Sequence, residues 1–377
     1  MDLSLSEEQQ LLKDQVERFA REAYAFETRR RVLRSEAGFE PAHWKQFAEL
    51  GWLGVAFAEA DGGLGGGPVE TGIIMEAFGR GLVLEPFLPN VVLGGGALAL
   101  AGDDAQKKAL LPDLIAGKTK LALAYAERQS RYDLADCLTQ AAADGGGFVV
   151  SGHKAVVYGG NLADHFVVVA RTKGNQRAKT GLSLFLVPRT AKGLTVRGYR
   201  TVDGLGAADL ALDKVRVEKS AVLGPLDGGL ALLERVVDHG IAAICSEAVG
   251  AMAVLTDMTV QYSKTRKQFG RPIGGFQVLQ HRMVDMTIAV EEARSMALYG
   301  TLHLDERNAK TRKRALSATK VQIGRSARLV GQEAVQIHGG MGMTDELAVG
   351  HYFKRLTMID VAFGNADWHQ RRFADLS

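Results

Sequence analysis

The chain has little of several things that would declare a function early. Its 377 residues include only 2 cysteines, Cys137 and Cys245, at a spacing that suits neither a metal site nor a disulfide-stapled scaffold. Its 9 histidines show no ligand spacing with carboxylates, so no metal centre is expected. His338 reads as lining a glycine loop and His351 as a helix-end or interface residue. Charge of one sign is also scarce, since 46 basic residues face 43 acidic ones for a net +3, and no nucleic-acid partner is implied. The clusters Arg29-Arg30-Arg31 and Lys310-Thr311-Arg312-Lys313-Arg314 read as solvated faces. No stretch reads as apolar for long enough to span a bilayer, and Met1-Asp2-Leu3-Ser4-Leu5-Ser6 lacks a basic region ahead of an apolar core. A cytoplasmic location is therefore expected.

What is present is the balance of a soluble globular chain, 46% apolar and 24% charged, with enough length for two or three packed units. From Ser6 the period is helical: Ser6 can cap, Gln9 can reciprocate, and Leu11, Leu12, Val16 and Phe19 recur at three- to four-residue spacing. Helices are expected to about Gly117, interrupted by Asp61-Gly62-Gly63-Leu64-Gly65-Gly66-Gly67-Pro68. That run reads as a plain turn, since no Lys follows to make a phosphate cradle. From about Thr119 to Gly224 short β-prone runs take over: 148–150, 155–157, 166–169, 182–187 and 215–217, separated by turn residues, suggest a small antiparallel β domain. After Gly229 the helical stripe returns with Leu233, Val237, Ile241, Ala248, Met252 and Leu255, and again with Met283, Met286, Val290 and Ala293, as in a four-helix bundle. The expected fold is α+β, mainly α, with domains at 1–118, 119–225 and 226–377.

Two short patches carry the chemistry. Thr265-Arg266-Lys267-Gln268-Phe269-Gly270 follows a long amphipathic helix, and Gln336-Ile337-His338-Gly339-Gly340-Met341-Gly342 closes another. Arg266 offers a fixed cation with a fork of donors suited to a pyrophosphate, while the glycines let backbone amides approach a ligand closely. Taken alone, a basic residue after a helix is usually a charge complement and a glycine run usually a C-cap. Together, within this order of helices, β domain and helical bundle, they resemble the acyl-CoA dehydrogenase family of flavoproteins over nearly the whole chain.

The resemblance implies FAD as cofactor and an acyl-CoA thioester as substrate. In that family a carboxylate takes the α-proton while the β-hydrogen leaves as hydride to the flavin, with an electron-transfer flavoprotein as electron acceptor. It further implies that Arg266, Phe269, Ile273, Gln277, Gln336, Gly339 and Gly340 reach an FAD clamped between two subunits. Other parts depart from the family. Its Thr-Glu-Pro-x-x-Gly-Ser-Asp stretch appears as Ala126-Glu127-Arg128-Gln129-Ser130-Arg131-Tyr132-Asp133, and its Lys-x-Trp-Ile-Thr-Asn as Lys154-Ala155-Val156-Val157-Tyr158-Gly159. Both changes alter donors and fill space where the flavin ring would lie.

The base is missing from both usual places, which align with Gly240 and with Ala362-Phe363-Gly364-Asn365. Glu247 lies seven residues beyond Gly240, on roughly the same helix face, among Ile244, Cys245, Ala248 and Val249. It is the candidate base, and a buried carboxylate paired with Arg or Lys would look the same in sequence. Asp238 and Asp367 are weaker candidates for the base and read first as surface or capping charges. Retained clamping residues, an altered ring pocket and a displaced base resemble the small subunit of heteromeric enzymes of the pimeloyl-CoA dehydrogenase type. The expectation is an α2β2 assembly with a larger dehydrogenase-like subunit. A self-sufficient homomer using Glu247 and a catalytically silent assembly subunit are the alternatives.

Overall fold

The computed structural model describes residues 4–376. Helices occupy both ends of the chain and a sheet its middle, the α+β, mainly α fold of the expectation. The first part holds α1 (Glu7–Glu22), α2 (Phe26–Arg34), α3 (Pro41–Glu49), α4 (Pro68–Gly81), α5 (Gly96–Ala101) and α6 (Asp104–Ile115). Ser6 and Gln9 form the anticipated capping box, with the Gln9 amide donating to Ser6 Oγ at 3.2 Å and the Ser6 amide to Gln9 Oε1 at 3.0 Å. Residues 88–95, just ahead of α5, are wound as a π-helix. Gly94 is needed there because a Cβ on it would stand 2.6 Å from Leu121 Cβ.

The sheet contains β1 (Leu121–Ala124), β2 (Gln140–Asp144), β3 (Gly147–Tyr158), β4 (His165–Arg171), β5 (Leu182–Pro188), β6 (Leu194–Arg200), β7 (Gly206–Glu218) and β8 (Val222–Leu223). The path is β6-β7-β3-β2-β4-β5-β8, and β1 lies against β4. The sheet is not wholly antiparallel as expected: β1 runs parallel to β4, and β2 meets β4 in parallel at Gln140 and Arg171. Two runs expected as separate strands, 148–150 and 155–157, belong to the single strand β3, whose register on β7 shifts twice. Its inner face packs Phe148, Phe166, Phe185 and several valines, with the Phe148 and Phe185 rings 5.2 Å apart.

The C-terminal part holds α7 (Gly229–Thr265), a hairpin of β9 (Lys267–Gln268) and β10 (Arg271–Pro272), then α8 (Gln277–Leu302), α9 (Ala309–His338), α10 (Ala348–Val361) and α11 (Ala366–Asp375). Contrary to the sequence expectation, α7 is long and apolar enough to cross a bilayer, but 78% of its most apolar window is buried inside the protein, as in a core helix. By contacts the chain divides into two compact units: Met1–Arg31, Pro68–Val83 and Ile241–Ser377 make a helical unit, and Val32–Gly67 with Leu84–Gly240 a sheet-bearing one. Within the helical unit α4 and α7 cross backbone to backbone. A Cβ on Gly79 would come within 1.9 Å of the Glu247 carbonyl oxygen, and one on Gly250 within 1.9 Å of the Glu76 carbonyl oxygen.

Candidate functional site

In the helical unit, α7 ends at Thr265 and the chain reverses through a two-residue turn, Phe269-Gly270, between β9 and β10. Both turn residues have positive φ, +53° and +80°, the requirement of a type I′ hairpin. Glycine meets it freely, whereas Phe269 adopts it at a cost of roughly 1–2 kcal/mol. Phe269 is also 91% exposed, with its ring edge-on to Phe276 at 6.1 Å between centroids, so little packing within the chain holds it there. Ile273 is buried and its amide donates to the Arg266 carbonyl at 2.8 Å, which seats the hairpin against the start of α8.

The end of α9 supplies the opposite wall. His338 stacks on Tyr262, ring centroids 4.3 Å apart and planes 25° from parallel, and the Tyr262 hydroxyl donates to the His338 carbonyl. The His338 Nδ1–H donates to the Ala334 carbonyl at 2.8 Å, and burial keeps the imidazole below its ordinary pKa. Gly339 then turns the chain with φ +63° into the short helix Gly339–Met343. These elements enclose a groove of about 660 Å³ lined by Arg266, Phe269, Ile273, Gln336, Gly339 and Gly340. Of the residues expected to reach the cofactor, only Gln277 lies outside the lining, exposed as the first residue of α8. Tyr262, Met341 and Arg282 belong to the groove and were not singled out from sequence.

The groove suits a phosphorylated ligand. Arg266 is exposed and has no carboxylate partner among the described residues, so its guanidinium remains available to an anion. Gly340 has ordinary φ and open space where a Cβ would stand, so nothing within the chain requires glycine there. A ligand has room to approach the backbone closely there.

Glu247 is 5% exposed, and Arg355 of α10 grips it with two parallel bonds, Nε to Oε1 and Nη2 to Oε2, each 2.6 Å. Of the two readings the sequence left open for Glu247, catalytic base or buried carboxylate paired with Arg or Lys, the geometry has the form of the pair. A base must offer a free oxygen to the substrate proton, and here both oxygens face one permanently charged guanidinium. The loop at the other usual base position is apolar and pinned. The buried Lys320 ammonium donates to the carbonyls of Ile359, Asp360 and Gly364 at 2.8, 2.7 and 2.8 Å, and burial lowers its pKa to about 8. His369 Nε2 bonds the Phe363 carbonyl at 3.1 Å, and Phe363 has φ +58°. Asp367 is exposed in the first turn of α11, a favourable place for a carboxylate. Asp238 is buried rather than at the surface as expected.

In the sheet-bearing unit Glu127 is buried against Lys154, Oε1 to Nζ 2.7 Å, and also accepts the amides of Leu138 and Thr139 at 2.8 and 3.0 Å. Burial would raise the Glu127 carboxyl, but the Lys154 charge and these donors outweigh it and hold it at about 2. Where the resembled stretch has glycine, Arg131 keeps a glycine-like φ of +47°. Val156, at the position of the resembled indole, has φ +52°, a genuine outlier for a β-branched residue, and its amide donates to Asp209 Oδ1 at 3.1 Å.

Models of the acyl-CoA dehydrogenase N-terminal, middle and C-terminal domains match residues 6–118, 122–215 and 227–375. The probable acyl-CoA dehydrogenase YngJ of Bacillus subtilis is 28% identical over 372 residues, 97% of each chain. Among solved structures, a chain of a variant of the Tcur3481-Tcur3483 steroid ACAD is 30% identical with TM-score 0.88, covering 99% of this chain and 98% of that one. A chain of the ChsE4-ChsE5 complex from Mycobacterium tuberculosis is 26% identical with TM-score 0.89, covering 100% and 98%. Fold and groove thus define an oxidoreductase built to hold a nucleotide cofactor, FAD, and to act on acyl-CoA. The chain belongs to the acyl-CoA dehydrogenase family.

Proposed function

We propose that this chain is the small subunit of a heteromeric, cytoplasmic acyl-CoA dehydrogenase, sharing each FAD with a larger dehydrogenase-like subunit in an α2β2 assembly. The observation that carries this reading is the bidentate lock of Glu247 by Arg355, which leaves no candidate carboxylate at the positions where a base is expected. The partner then supplies the base and the flavin-ring pocket. FAD held in the groove would supply the hydride acceptor for the acyl β-carbon. This chain's part is to hold the nucleotide: Arg266 neutralises phosphate charge, the backbone at Gly339 and Gly340 admits close approach, and Gln336 donates from the end of α9. Phe269 extends from its hairpin to close on the bound cofactor or on the partner chain. The names of the two similar structures, each joining two chains, support the heteromeric reading. Electrons pass on to an electron-transfer flavoprotein.

Expression alone and with the larger dehydrogenase-like partner tests this. The chain by itself is expected colourless and inactive, and the mixed complex yellow and able to α,β-desaturate an acyl-CoA. Acyl-CoA oxidation by the chain alone returns the reading to a homomer, and a complex indifferent to this chain's groove makes it an assembly scaffold.

A further inference from the structure

The glycine loop that walls the groove continues through residues 344–347 into α10, and its far side is tied down by a buried histidine. His351, in the first turn of α10, is 8% exposed. Its Nδ1 lies 2.7 Å from Arg29 Nη1 of α2, and its Nε2 lies 3.3 Å from the Asp345 carbonyl. A guanidinium can only donate, so Nδ1 must be the acceptor. The single ring proton then sits on Nε2 and donates to the Asp345 carbonyl. Arg29 is itself fixed, 2% exposed, with Nε donating to the Leu82 carbonyl at 3.0 Å. The Phe26 ring stands edge-on to the imidazole, centroids 5.0 Å apart. The chain of contacts runs from α2 through one imidazole to the segment that follows Gly339 and Gly340.

This tautomer cannot accept a second proton without loss, because that proton would sit on Nδ1 and point into the Arg29 guanidinium. The other charged groups near the ring are the Asp345 carboxylate, with Oδ1 3.6 Å from Nε2 but largely exposed, and Lys354 of α10, which pairs with that carboxylate at 3.5 Å. Burial first and Arg29 second keep the His351 imidazole below its ordinary pKa, against the opposing pull of Asp345.

We infer that His351, held neutral between Arg29 and the Asp345 carbonyl, positions the glycine loop for the cofactor, so that charging this ring in acid loosens FAD without altering any groove residue. The inference rests on the reading that the groove holds FAD. The neutral-ring contacts contribute fully above the unfolded value of 6.5 and are lost as pH falls below it toward the lower folded value.

The test uses the reconstituted complex and reads FAD affinity by flavin fluorescence from about pH 8 to about pH 5, the range in which histidine charges. His351→Gln can accept from Arg29 and donate to Asp345 but never charges. It is expected to bind within about threefold of wild type at neutral pH, with the acid loss flattened, while His351→Leu weakens binding about tenfold at every pH, the size of one charge-assisted bond. Wild-type acid sensitivity in His351→Gln overturns the inference, since His338 titrates identically in both proteins. Should His351→Leu fail to assemble, the glutamine variant alone decides. Arg266→Ala separates the two layers. If it leaves FAD affinity unchanged, the groove reading itself fails. If it weakens FAD while His351→Gln keeps the acid loss, only the positioning role fails.

Discussion

Arg355 and Glu247 face each other across the interior of the helical unit, two parallel 2.6 Å bonds joining helices 108 residues apart in sequence. A buried pair of this kind contributes little net stability relative to apolar residues, but removing one partner strands the other's charge. Arg355→Met should therefore cost about 3–5 kcal/mol in denaturant unfolding, whereas the double replacement Glu247→Leu with Arg355→Met should recover most of it. In the assembled enzyme the double variant should retain the wild-type rate of α-proton abstraction per folded complex. A loss of proton abstraction with folding intact would make Glu247 the base.

The crossing of α4 and α7 depends on two glycines. Gly79→Ala and Gly250→Ala each put a Cβ within 1.9 Å of a backbone oxygen of the other helix, and neither backbone can yield without moving its helix. Each should destabilise by more than about 2 kcal/mol, beyond the range of ordinary surface substitutions. Thermal melting of the single variants checks this.

Phe269 sits in a left-handed turn at a cost that glycine would not bear. Phe269→Gly should keep or slightly raise the chain's own stability, by up to about 1 kcal/mol less the extra unfolded-state entropy of glycine. The same variant should weaken FAD retention or subunit association, since the ring is 91% exposed and meets the chain edge-on at Phe276. Melting temperature and flavin titration should move in opposite directions, and parallel loss would mean that the contact with Phe276 stabilises the hairpin more than the left-handed turn costs.

Glu127 gives the sheet-bearing unit its acid limit. Its folded carboxyl is held at about 2 against an ordinary 4.5, so its stabilisation is complete above 4.5 and disappears as pH falls from there toward 2. Glu127→Gln should unfold more easily at neutral pH and show a shallower loss of stability across that window. Denaturant titrations at stepped pH would reveal an unchanged slope if the pairing with Lys154 were unimportant.

The groove was legible in the sequence because its parts are local: residues 266–273 fold on themselves as a hairpin and turn, and 336–340 as a helix end. Tyr262 and His338 were harder, since their stacking joins two patches through a contact 76 residues apart. β1 and β2 went unread because Leu-Ala-Leu-Ala and Gln-Ala-Ala-Ala-Asp carry none of the β-branched or aromatic residues that mark strands. They pair because β3 and β4 present partners. Glu247 shows the limit most clearly. Its helix face and apolar neighbours could be counted, but whether a guanidinium waited opposite depended on the packing of α10.

On the proposed reading, this chain holds FAD only together with an unlike partner. Native mass spectrometry of the chain alone and of the reconstituted complex counts cofactors directly. One FAD per unlike pair, and none on the isolated chain, is the predicted result. A homo-oligomer of this chain carrying one FAD per copy would contradict it.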